Sequence, residues 1–139
     1  MSQTNTYSGA TNINAGSVSV DTVGNTGSNS NLGTNGTINI GDTTNAGTLV
    51  YTGTGETSNK VINLAGTTGG ATITQSGTGN LKFTSDLTAT GLGNKTLTLG
   101  GATAGTGEFS GAIVDSTGFA TAVTKSGRAS CRAKCNRWP

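Results

Sequence analysis

The chain has 139 residues, of which 10% are charged and 4% aromatic, and a net charge of +2. This balance excludes the charged or Pro-rich composition of common disorder, because the single Pro is the last residue. It also excludes the thick core of a compact globule, since Leu, Ile, Val and Phe together fill 24 positions.

More than half of the chain is Gly, Thr, Asn or Ser, at 24, 28, 14 and 13 residues. Thr is β-branched, and Gly and Asn tolerate positive φ, so the mixture suits short strands joined by tight turns. A flexible low-complexity linker is the alternative that composition alone leaves open.

Short apolar–polar alternations recur along the chain. They are SVSV at 17–20, TINI at 37–40, TLVY at 48–51, VINL at 61–64, TIT at 72–74, LKF at 81–83, TLTL at 96–99, GEFSGAIV at 107–114 and TAVT at 121–124. Residues two apart on a strand share a face. Val18 with Val20, Ile38 with Ile40, Ile62 with Leu64, Leu81 with Phe83, and Leu97 with Leu99 are therefore predicted to point inward. Ser19, Asn39, Asn63, Lys82 and Thr98 are predicted to point out.

Regular short strands also describe a sandwich or a barrel. Here the segments resemble one another in composition as well as spacing, which favours a solenoid, where each rung buries a thin apolar row against its neighbours. Residues 1–127 are expected to form an all-β solenoid of five to six rungs, each of 20–25 residues. No stretch of a dozen residues carries a 3.6-residue apolar period, so no helix is predicted.

The run NTYSGATNINAGSVSV at 5–20 resembles the autotransporter-associated β-strand repeat. Asn5, Tyr7, Gly9, Thr11, Ile13, Gly16, Val18 and Val20 occupy the key positions of that repeat, while Ser8 and Ser17 stand where Thr is common. The stretch from Lys95 to Gly127 looks like another part of such passengers, and residues 21–94 share only their texture. The resemblance implies a right-handed parallel β-helix, here partial. It further implies export through a C-terminal outer-membrane barrel missing from this chain, and display on a Gram-negative cell surface. In this repeat Asn5 and Gly9 are expected to bracket a turn, with the Tyr7 ring laid over the neighbouring rung and its hydroxyl in water.

The last dozen residues, RASCRAKCNRWP at 128–139, break from everything before them. They hold half of the basic residues, both cysteines and the sole Trp, whereas 1–127 sets four lysines against six acids. This basic, Cys-containing tail is expected to be disordered or out-of-frame sequence. The start, Met1-Ser2-Gln3, has no basic and apolar signal region, and the chain is expected to be a fragment.

Function is expected to be structural or adhesive, and the chain is not expected to be an enzyme. There is no His, and Asp21, Asp42, Glu56, Asp86, Glu108 and Asp115 are scattered singly, although acids on adjacent rungs could meet in space. Cys131 and Cys135 lack further zinc ligands. The Gly-rich GTTGG at 66–70 lacks a Walker lysine and a following helix, so it reads as a turn. No catalytic, cofactor-binding or metal site and no cofactor is assigned. The partners expected are a host-surface protein or glycan, or a second copy through the solenoid ends; no nucleic acid is expected, the four basic charges of the tail being a weak signal. The competing functions are an ice-binding face, suggested by T-x-T at Thr72/Thr74, Thr88/Thr90 and Thr96/Thr98, and amyloid-like self-assembly.

Overall fold

The computed structural model describes residues 1–101 and 105–127. The basic tail with Cys131, Cys135 and Trp138 lies outside the described residues. Among the described residues the fold is all β. Its strands are β1 (Thr11–Ile13), β2 (Gly16–Val20), β3 (Thr37–Ile40), β4 (Gly47–Tyr51), β5 (Glu56–Ser58), β6 (Val61–Leu64), β7 (Ala71–Gln75), β8 (Leu81–Phe83), β9 (Lys95–Gly101), β10 (Gly107–Phe109) and β11 (Thr121–Lys125).

Every pairing between these strands is parallel. They form a first sheet β1-β3-β6, a long sheet β2-β4-β7-β9-β11 and a third sheet β5-β8-β10. The chain visits the three in rotation, so each circuit is one rung of a β-solenoid of about four turns. On the long sheet Ser17, Thr48, Thr72, Thr98 and Thr124 are successive partners, at intervals of 31, 24, 26 and 26 residues. Rungs are thus longer than the expected 20–25 residues, and about four turns take the place of five or six. The extra length of the first circuit lies in residues 24–35. That excursion is anchored by Leu32 and by Val23 before it, both fully buried.

The predicted inward pairs form the core. Ile38, Ile40, Ile62, Leu64, Leu81, Phe83, Leu97 and Val20 are at most 2% exposed, Leu99 is 8% exposed, and Val18 packs partly buried against them. Equivalent residues stack into columns, one running Val18, Leu49, Ile73, Leu99. Phe83 and Phe109 stack in another, with ring centroids 5.8 Å apart. Burying a side chain of this size is worth about 1.5–3 kcal/mol, so each rung is held mainly by four or five such residues.

Two strands were not expected. β1 and β5 are three residues long and rich in polar side chains, too short to show an alternation. GEFSGAIV, expected as one apolar strand, stops at Phe109. Gly111 then turns against the Ser85 carbonyl, leaving no room for a Cβ. In the NTYSG segment the Tyr7 ring lies on Gly33 of the next rung, as expected, and its hydroxyl shares a 2.7 Å hydrogen bond with Thr11 Oγ1. Asn5 bridges Ser30 antiparallel, its amide donating to the Ser30 carbonyl at 2.8 Å.

The corners explain the Thr, Asn, Ser and Gly content. A buried backbone group needs a partner, and at a corner the strand ladder is interrupted. Side chains one rung away fill in. Asn35 Nδ2 donates to the Ser8 carbonyl at 3.0 Å, and Ser85 Oγ to the Asn59 carbonyl at 2.7 Å. Asp86 and Asn94 accept from the amides of Ala112 and Ala120 at 2.7 and 2.8 Å. From inside, Asn31 Oδ1 accepts from the Asp21 and Thr22 amides, Tyr51 from Gly55, and Gln75 Oε1 from Gly77.

Where corners stack closest only glycine fits. A Cβ on Gly79 would overlap the Thr54 carbonyl, whereas a Cβ on Gly9 would meet nothing within 4 Å. Gly79→Ala is therefore expected to lower stability by about 1–3 kcal/mol. Gly9→Ala should change it by less than about 0.5 kcal/mol. Urea midpoints of the two variants check this.

Candidate functional site

The acids do not assemble. Glu56 accepts from two consecutive amides, Val23 at 2.6 Å and Gly24 at 2.9 Å, and so ties the first circuit to the second. Asp86 is held by the Ala112 amide and Asp115 by the Thr121 amide at 2.7 Å. Glu108 pairs with Lys82 at 3.0 Å across the third sheet, where the two are register partners. Asp42 closes a turn with Asn45. Among the described residues no three His, Cys, Asp or Glu side chains form a metal-binding group.

Acids from adjacent circuits share one neighbourhood, around Tyr51. Burial pushes its phenol above the usual value, the Gly55 amide partly opposes this, and the charges of Glu56 and Asp21 add to the rise. The ring is 1% exposed, so this is a buried corner support and not an open reactive group.

Two lysines are buried without a carboxylate partner. Lys60 is fully covered, and its Nζ donates to the carbonyls of Gly33, at 3.2 Å, and Asn35. Lys95 Nζ donates to the carbonyls of Gly91 and Gly93 and to Ser116 Oγ. Desolvation lowers the pKa of both. Each acts as a cationic plug for turn carbonyls that point inward.

An amide ladder runs up the first sheet. Asn39 Nδ2 donates to Asn12 Oδ1 at 2.7 Å and Asn63 Nδ2 to Asn39 Oδ1 at 2.8 Å. Asn63 points outward as expected yet is 7% exposed, because Thr88 and Thr90 close over it. The T-x-T pair at 88/90 is thereby occupied within the molecule. GTTGG at 66–70 forms a turn, the amides of Thr68 and Gly69 both donating to the Thr43 carbonyl. A cavity of about 20 Å³ between the long and third sheets is lined by Ile73, Leu81, Phe83, Leu99 and Phe109, with room for about one water.

The outer face of the long sheet differs from these places. Ser17, Thr48, Thr72, Thr98 and Thr124 stand in one row, one per rung. Adjacent strands lie about 4.8 Å apart, which makes the row about 19 Å long. None of its five hydroxyls bonds within the described residues, whereas Thr52, Thr84 and Ser110 donate theirs to carbonyls one rung away. The T-x-T pairs at 72/74 and 96/98 do not superpose: Thr98 lies on Thr72, but Thr74 lies opposite Gly100. Beside the complete row runs a mixed one of Ser19, Val50, Thr74 and Gly100. Uneven spacing in the sequence hid the row, because the intervals between rungs differ.

Lys60→Met removes the ammonium and leaves the Gly33 and Asn35 carbonyls unpaired, an expected loss on the order of 2–4 kcal/mol at neutral pH. Between the lowered and ordinary lysine pKa the unfolded chain holds more protons than the folded one. The stability contributed by Lys60 and Lys95 therefore rises with pH through that alkaline window. Tyr51 acts in the opposite sense once pH passes 10.0. The urea midpoint should climb as pH approaches 10, and climb less in Lys60→Met/Lys95→Met; a flat wild-type profile would contradict the assignment.

No family model, characterised protein or solved structure matches this chain, so the likeness of residues 5–20 to an autotransporter-associated repeat stays a proposal.

Proposed function

We propose that the chain is a structural and adhesive solenoid segment of the autotransporter-passenger kind, displayed at a bacterial cell surface and without catalysis of its own. The observation that carries this reading is the row of five unbonded hydroxyls on the long sheet. Other polar groups hold one rung to the next, and Glu56, Asp86, Glu108 and Asp115 each have a structural partner. The long sheet instead offers a straight, uncharged surface of alternating donors, acceptors and methyl groups. A glycan chain, with hydroxyls repeated along its length, is the partner such a row fits.

The same row supports a second reading, an ice-binding face, because its hydroxyls and methyls recur at a fixed interval near 4.8 Å. One complete row instead of two makes this the lesser reading.

Substituting Thr48, Thr72 and Thr98 by Val removes three hydroxyls while keeping β-branched side chains of the same shape. The adhesive reading expects the native chain to bind a subset of a glycan array and the triple variant to bind those glycans about tenfold or more weakly. Equal binding by both chains, or none by either, would refute it. Thermal hysteresis in the native chain, lost in the variant, would favour the ice-binding reading instead.

A further inference from the structure

The two ends of the solenoid are not equivalent. β2 and β11 are the outer strands of the long sheet, each paired on one side only. Beside β11 lie the exposed apolar residues of the C-terminal end: Val123 at 38%, Val114 at 38% and Phe119 at 40% exposure. An unpaired parallel edge next to uncovered apolar side chains is a template for another strand.

The register states which strand fits. A further rung on β11 would extend the columns of the long sheet. One column runs Gly16, Gly47, Ala71, Leu97, Val123, and the next runs Val18, Leu49, Ile73, Leu99, Lys125. The first rung of a second copy has the required form: its Gly16 would meet Val123, and its Ser17 would prolong the row that ends at Thr124. Its Val18, however, would meet Lys125, the one charged residue in that column.

We infer that the C-terminal end is a docking edge for the first rung of a second copy, held closed by the inward-facing Lys125. An inward charge on an edge strand opposes stacking, because the next strand would bury it. Lys60 and Lys95 show what burial requires in this fold: two carbonyls for the first, two carbonyls and a hydroxyl for the second. Lys125 has one acceptor, the Gly127 carbonyl at 2.9 Å, and is exposed. Once the charge is gone, the contact joins unlike surfaces and does not close, so association would propagate into a filament. This concerns the ends and is independent of the adhesive reading of the face.

The test uses the full chain. Lys125→Leu is expected to convert a monomer into head-to-tail oligomers by sedimentation, with filaments in negative-stain images. Lys125→Glu, which keeps a charge at the site, should stay monomeric. Adding Val18→Lys to Lys125→Leu places a charge on the facing edge and should restore the monomer. Far-UV circular dichroism confirms that each variant keeps its strands. Three results would overturn the inference: a folded Lys125→Leu chain that stays monomeric, a native chain that already forms the same filaments, or a double variant that still assembles.

Discussion

Parallel, in-register stacking is the constraint on which the other features depend. Because Thr48 lies on Ser17 and under Thr72, a side chain's closest neighbours are those at the equivalent place one circuit away. What a residue can be is then decided by its column. Columns that face inward must remain apolar or end in a satisfied polar tip, and columns at tight corners must remain glycine. This is how a chain with 31% hydrophobic residues closes a core. A thin apolar row is sufficient when its counterparts cover it from above and below.

The same constraint sets a demand for polar side chains. A three-sided coil interrupts its ladder at every corner, and each interruption exposes amides and carbonyls that water does not reach. Asn, Thr and Ser on the outside, and Asn31, Tyr51, Gln75, Lys60 and Lys95 on the inside, answer that demand. The composition that resembles low complexity in the sequence is, in the fold, a set of rung-to-rung hydrogen bonds. Lys60 and Lys95 are the extreme case, since a buried ammonium is tolerated where several carbonyls converge and no other group could reach them.

Much of this was legible in the sequence. The alternations at 37–40, 61–64, 81–83 and 96–99 located both strands and inward faces, because a period of two survives in four residues. β5 escaped notice because Glu-Thr-Ser carries no apolar signal, its place being set by pairing with β8. The buried lysines were hidden for a related reason: nothing local marks Lys60 as different from Lys82, which lies on a strand's outer face. The rung count depended on the register, and a 31-residue first circuit is visible only once Ser17 and Thr48 are seen as partners. The hydroxyl row was obscured by that irregularity. Its members look scattered along the chain and align only in space.

Stacked circuits also determine how the molecule would respond to a pull along its axis. Each rung touches only the rungs beside it, so tension on the end would be borne by the outermost rung alone. That rung peels before the next is loaded. A circuit of 26 residues, such as that from Thr72 to Thr98, would release about 85–95 Å of chain as it goes. Extension would then proceed in even steps, and the molecule would behave as a ratcheted spring that yields length while its remaining rungs stay folded.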